Sequence, residues 1–133
     1  MADETKFATT PEPPYYAVIF TNQRTPGDDG YHRMLDAMLR LAAQQPGYLG
    51  RESARDGDGF GTTVSYWRDA DSVKNWKRVA EHQAAQLMGH RRWYTHYELR
   101  VARVERAYAG PEGRSDSDIA GIGDANIAGV TLD

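Results

Sequence analysis

Residues 63–76, TVSYWRDADSVKNW, place an alternating strand, an aspartate suited to capping a helix, and two tryptophans nine positions apart in one short stretch. A strand that hands over to a helix across one or two residues requires a sheet layer packed on a helix layer. Trp67 and Trp76 then fall at the seam between those layers. Two indoles at that place either fill the core or form the flat apolar wall of a pocket, each with an N–H to orient a ligand. Both readings stay open for Trp67 and for Trp76.

The rest of the chain supplies the partners. Tyr15 to Thr21 is aromatic and β-branched, as a strand requires, and TPGDDG (25–30) ends it with turn residues. Tyr31, Met34, Leu35, Met38, Leu39 and Ala42 recur at helical spacing, and Pro46-Gly47 stops that helix. Tyr48–Arg55 and Phe60–Trp67 read as a hairpin joined through Asp56-Gly57-Asp58-Gly59. The second helix is capped by Asp69 and carries Val73, Trp76, Ala80, Ala84 and Leu87 on one stripe. His82 comes out nearly opposite Val73, on the solvent side of a straight helix. Trp93 to Arg106 alternates through Tyr97, Leu99 and Val101 and shifts register towards Val104, so a bulge is expected there. Four strands and two helices in this order predict an α+β, ferredoxin-like βαββαβ sandwich.

Composition excludes several functions. With no cysteine among 133 residues, thiolate metal sites, disulfides and cysteine nucleophiles are ruled out, which fits a cytoplasmic location. The net charge of −3 is carried by the ends. Residues 1–14 hold Asp3, Glu4 and Glu12 against Lys6, and residues 109–133 hold Glu112, Asp116, Asp118, Asp124 and Asp133 against Arg114. The body is therefore only mildly basic, with arginine and glutamate interleaved, and nucleic-acid binding is not expected. Its longest apolar run, Ala17 to Phe20, is too short for a membrane span. Residues 1–14 read as a flexible arm, 15–108 as the domain, and 109–133 as a Gly/Ser/Asp-rich tail whose scattered Ile119, Ile122, Ile127, Val130 and Leu132 leave docking open beside disorder.

Other motifs fail on spacing. GDGFG (57–61) joins two strands and lacks the lysine and following helix of a phosphate loop. Paired histidines for zinc, a G-x-S-x-G elbow and a calcium loop are all missing. No metal and no cofactor are expected. A sheet with helices on one face leaves its other face to be covered, and pairing with a second copy is the expected solution, which predicts a homodimer.

QPGYLGRES (45–53), GTTVSYW (61–67), WKRVAEHQAAQ (76–86) and WYTHYELRVARVERAY (93–108) together resemble the antibiotic-biosynthesis monooxygenase (ABM) domain, a dimeric α+β-barrel family. The likeness is greatest to its uncharacterised bacterial members. It implies either cofactor-independent oxidation of phenolic, quinol-like or polyketide-like molecules by O2, or degradation of haem. The haem-degrading branch has an Asn late in the first strand, a Trp on the second helix and a His ten residues later. Asn22 and Trp76 match, but Gln86 stands where the His is expected, and an amide cannot replace a proximal imidazole.

The resemblance therefore implies a small aromatic substrate and O2, with Asn22, Trp76 and His82 as catalytic candidates. Arg24, Trp67, Gln86 and His96 are substrate-binding candidates. Asn22 would hydrogen-bond a carbonyl or phenolate, Trp76 stack on a ring, Arg24 stabilise an anion, and His82 or His96 act as base. Each has a plain alternative: a turn-closing Asn22, a surface ion pair for Arg24, a solvated His82, and a His96 that satisfies a backbone carbonyl. A non-catalytic module for haem or another planar ligand, and a dimer that has lost its chemistry, are the competing functions.

Overall fold

A computed structural model describes residues 6–88 and 92–111. The expected tail lies outside the described residues from 112 onward. The elements are β1 (Tyr15–Arg24), α1 (Tyr31–Ala43), β2 (Tyr48–Arg55), β3 (Phe60–Trp67), α2 (Ala70–Met88) and β4 (Tyr94–Val104). The strands form one antiparallel sheet in the order β2-β3-β1-β4. This is the ferredoxin-like α+β arrangement.

Local chemistry fixes the junctions. Gly30, at φ 82°, precedes α1, and the Asp28 carboxylate accepts the amides of Gly30 and His32 and pairs with the His32 ring. Gly47 lies at φ 83°, and a Cβ added there would sit 2.0 Å from Ser72 Oγ. Only glycine lets the turn after α1 press this closely on the start of α2. The Gly47 carbonyl accepts the Arg68 amide at 2.8 Å, which ties the two junctions together.

Asp69 caps α2, its Oδ1 accepting the Ser72 amide at 2.8 Å and the Ser72 hydroxyl at 2.7 Å. Those bonds, the hydroxyl's first, hold the Asp69 carboxyl below its ordinary value of 3.8. A depressed pKa contributes stability above the unfolded value and loses it as pH falls through the folded one. The stability gap between wild type and Asp69→Ala in urea melts is therefore expected to be full at pH ~6 and to shrink towards pH ~2.

Two apolar clusters lie between sheet and helices. Val18, Ala42, Trp67 and Val73 form the first, with Tyr16, Tyr48 and Trp76 packed on it. Tyr31, Met34 and Trp93 form the second, with Leu35, Met38, Leu87 and Tyr94 against it. Val18 faces the helices, so the strand alternation puts Tyr16, Phe20, Asn22 and Arg24 on that side too. The strip along β1 runs from one cluster towards the other.

Two expectations about the strands are corrected. β1 continues through Arg24 rather than ending at Thr21, because Asn22 and Gln23 pair with Gly61 and Phe60 on one side and with Tyr97 and His96 on the other. The irregularity in β4 lies opposite Gln23 and Arg24, between His96 and Tyr94, and not near Val104.

Residues 6–14, expected to be a flexible arm, touch the helix-free face at two points. The Ala8 amide donates to Glu52 Oε2 at 2.9 Å, and the Thr10 hydroxyl donates to the Tyr15 hydroxyl at 3.0 Å. Glu52 also accepts the Tyr66 hydroxyl at 2.6 Å. Burial first, and that bond next, push the Tyr66 phenol well above its ordinary value. Tyr15 and Ala17 are buried, whereas Phe60, towards the other end of the same face, is 53% exposed.

Candidate active site

The site grows from one cross-strand row. Arg55 pairs with Gly61, Gly61 with Asn22, and Asn22 with Tyr97, so the row crosses all four strands. Asn22 is on the helix side, and direct partners in a sheet share a face. With no side chain at Gly61, Arg55 lies over that position. A Cβ added to Gly61 would come within 3.0 Å of Arg55 Cζ and 2.7 Å of the Ala54 carbonyl.

Asn22 is 2% exposed, and neither its Nδ2 nor its Oδ1 has a hydrogen-bond partner. An amide buried in this condition costs about 1–3 kcal/mol. The turn-closing role considered for Asn22 is excluded by its place inside the strand. The Arg24 Nε is likewise buried without a partner, while its Nη2 donates to the Gly27 carbonyl at 2.6 Å. Donors and an acceptor thus remain unspent at two positions on the same face of β1.

Aromatic rings surround this polar patch. Phe20 meets Tyr94 at 5.3 Å and Tyr97 at 5.5 Å between ring centroids, and Tyr94 meets Tyr31 at 5.9 Å. Arg24 Cζ stands 3.4 Å from the Tyr31 ring centre, and Arg55 Nη2 donates to the Tyr31 hydroxyl at 3.0 Å. Desolvation, followed by the charge and hydrogen bond of Tyr31, pushes the Tyr94 phenol well above its ordinary value. Tyr97, Leu99 and Val101 are 57%, 46% and 53% exposed, which leaves the β4 side of the patch open to solvent.

The candidates named from sequence separate into groups. Asn22 and Arg24 come together. Trp67 is fully enclosed, stacked on Trp76 at 5.7 Å with 18° between the planes and edge-on to Tyr48 at 5.4 Å. Its N–H donates to Ser65 Oγ at 2.9 Å. The pocket role for Trp67 is corrected to core, because no ligand reaches it without displacing a stacked ring. Trp76 is half-buried and keeps a face outside the core cluster.

His82 and Gln86 are exposed on α2, as the periodicity implied for His82, and leave the set. His96 pairs with Gln23 in register, so it lies on the opposite face of the sheet from Asn22, where its Nε2 meets Glu98 at 2.7 Å. It leaves the set too, and its imidazole holds the Glu98 carboxyl below the ordinary carboxylate range. His82→Ala and His96→Ala are expected to change affinity for any ring bound at Asn22 less than twofold, read by ligand titration.

Sequence reasoning missed Arg55, Tyr31, Tyr94 and Tyr97. Their signal was register: once β1 reaches Arg24, pairing across Gly61 aligns Arg55 with Asn22, but the paired positions are decided by the hairpin and cannot be counted along the chain. Among the described residues no cluster of His, Cys, Asp and Glu could hold a metal. Nor does any described imidazole face Asn22, so the proximal histidine of the haem-degrading branch has no counterpart there among the described residues.

Known proteins resemble the chain in sequence and in fold. The family model for antibiotic biosynthesis monooxygenase (ABM) matches residues 14–87. The uncharacterized protein YqjZ of Bacillus subtilis (strain 168) is 49% identical over 107 residues, covering 80% of this chain and 94% of that protein. SnoaB, a cofactor-independent oxygenase from Streptomyces nogalater, shares the fold at TM-score 0.58 and 12% identity, over 71% of this chain and 97% of that one. A MhuD mutant with two manganese protoporphyrin IX bound per active site does so at TM-score 0.55 and 18% identity, over 71% and 99%. At these identities the two structures speak for the fold alone. The family match and the 49% relative carry the assignment: the chain belongs to the antibiotic biosynthesis monooxygenase (ABM) family.

Proposed function

We propose that the protein is a cofactor-independent monooxygenase that oxidises a small aromatic, quinol-like or polyketide-like molecule with O2. The observation that supports it most is the buried, unpartnered Asn22 amide beside Phe20, Tyr94 and Tyr97. The substrate ring lies against the aromatic residues. Asn22 Nδ2 donates to a ring oxygen, and Arg24 and Arg55 hold the negative charge that oxygen gains on ionisation.

Triplet O2 reacts slowly with closed-shell molecules, but an electron-rich anion transfers one electron to it and then couples with the resulting superoxide. In the ring's keto form an activated CH2 becomes C=O. One oxygen atom stays on carbon, and the other leaves as water with both hydrogens. The substrate supplies all the electrons, and the protein's tasks are orientation, charge stabilisation and exclusion of water. No described carboxylate or imidazole takes the base's place at Asn22, so ionisation rests on the two guanidiniums, which favour the anion over the neutral phenol.

The same proposal includes a cytoplasmic homodimer paired through the helix-free face, where Phe60 stands exposed and Ile19 and Val64 are only half-buried. Among the described residues no helix is long and apolar enough to cross a membrane. Oxygen uptake with a panel of anthrones and hydroquinones tests the activity. Consumption that depends on Asn22 is expected, and inactivity across the panel together with unchanged ligand affinity in Trp76→Ala would overturn it. Haem titration tests the alternative of a planar-ligand module: a Soret shift without loss of the band in air would favour that module over an oxygenase.

A further inference from the structure

We propose that the groove between the β1–α1 loop and the β2–β3 hairpin receives a carboxylate carried by the substrate, which makes the substrate an aromatic acid rather than a neutral quinol. This rests on the reading of the Asn22 cleft as a substrate site and narrows it. The groove has a volume of about 410 Å³, and Arg24, Arg55, Asp56, Asp58, Gly27 and Gly59 are among its lining residues.

Two guanidiniums converge there on one ring. Arg24 Cζ is 3.4 Å and Arg55 Cζ 5.7 Å from the Tyr31 centroid. Each guanidinium donates to a backbone carbonyl, Arg24 Nη2 to Gly27 and Arg55 Nη1 to Gly59, which leaves its charge uncompensated. Among the described residues neither arginine has a carboxylate within 4.0 Å. The nearby acids have other tasks or stand apart. Asp56 Oδ1 accepts the amides of Asp58 and Phe60, the Asp28 carboxylate is taken by Gly30 and His32, and Asp58 lines the groove but is exposed and forms no ion pair with either arginine. Arg24 Nε remains buried and unpartnered, so the site holds a charged donor without its acceptor.

Position decides where the acid sits on the ligand. Arg55 lies across Gly61, the residue directly beside Asn22 in the sheet. Paired residues on adjacent strands are separated by roughly 5 Å. With Arg55 Cζ only 3.0 Å from the position a Gly61 Cβ would take, the guanidinium lies beside the strand that carries Asn22, so one small aromatic molecule can reach both with a carboxylate and a ring oxygen.

The test is anaerobic titration of the intact protein with three probes of one ring system: 1,4-dihydroxy-2-naphthoate, its uncharged carboxamide, and 1,4-dihydroxynaphthalene. The acid is expected to bind ~10-fold or more tighter than the other two, as a charge-assisted bond to guanidinium implies. Arg55→Met, shown folded by its melting curve, is expected to remove that ratio, and Arg55→Lys to keep part of it. An acid no tighter than the carboxamide in the wild-type protein overturns the subsite without reliance on any variant, as does an advantage that survives Arg55→Met. Absence of binding by all three overturns subsite and substrate cleft together. A preserved acid preference with no oxygen uptake in air overturns the oxygenase reading and leaves the subsite standing.

Discussion

Asn22→Leu is expected to yield a protein that is more stable than wild type and inactive. The side chain is enclosed, its Nδ2 and Oδ1 are unpartnered, and it stands inside a strand whose backbone bonds do not depend on it. Removing a buried polar group without a partner recovers its desolvation cost, about 1–3 kcal/mol. Leucine matches asparagine in length and puts an apolar end where the amide is enclosed. Urea melts should show a higher midpoint with an unchanged slope, the sign of altered stability at constant exposed surface. The same change deletes the donor to the substrate oxygen. Loss of one such donor in a preorganised site lowers turnover by roughly 10²–10³. The two readings together distinguish function from folding, because a residue present for structure would lose stability when replaced. A less stable Asn22→Leu that kept full activity would remove Asn22 from the site.

The fold was legible because local signals agreed with one another. Asp69 before an apolar stripe, Pro46-Gly47 after another, and the loop Asp56 to Gly59 between two β-rich runs each mark a boundary that packing then respects. Asn22 and Arg24 were found, though the structure places Asn22 inside β1 and makes Arg24 its last residue. What the sequence hid is lateral. Arg55 is thirty-three residues from Asn22 and reads as a charged residue closing a strand, yet the hairpin register sets it across Gly61. Tyr31 read as the first member of an amphipathic stripe, and nothing in helical spacing signals two arginines over its ring. The histidines misled because their chemistry is independent of position, while strand parity sends His96 to the opposite face and helical phase sends His82 to solvent.

Strand and helix phase also separate the two indoles with which the sequence began, and Trp67→Ala is the change expected to cost the fold most. Trp67 has no exposed surface, is stacked on one side by Trp76 and met edge-on by Tyr48, and touches the cluster of Val18, Ala42 and Val73. Truncation leaves a cavity that rings held by a sheet on one side and two helices on the other cannot collapse to fill, and such a change costs about 3–5 kcal/mol. Against a total of roughly 5–15 kcal/mol, much of the stability is lost, and the melting temperature should fall by more than about 10 °C. Trp76 is half-buried and sits on the outside of the same stack, so Trp76→Ala gives up a smaller area and is expected to melt closer to wild type. Ligand affinity should divide the pair in the opposite sense. Trp76→Ala weakens binding of a planar ring in a protein that still folds, whereas Trp67→Ala alters binding only as far as it unfolds the chain. Equal thermal losses in both variants, with affinity unchanged in Trp76→Ala, would make Trp76 core as well and leave Phe20, Tyr31, Tyr94 and Tyr97, among the described residues, as the aromatic surface against which the substrate lies.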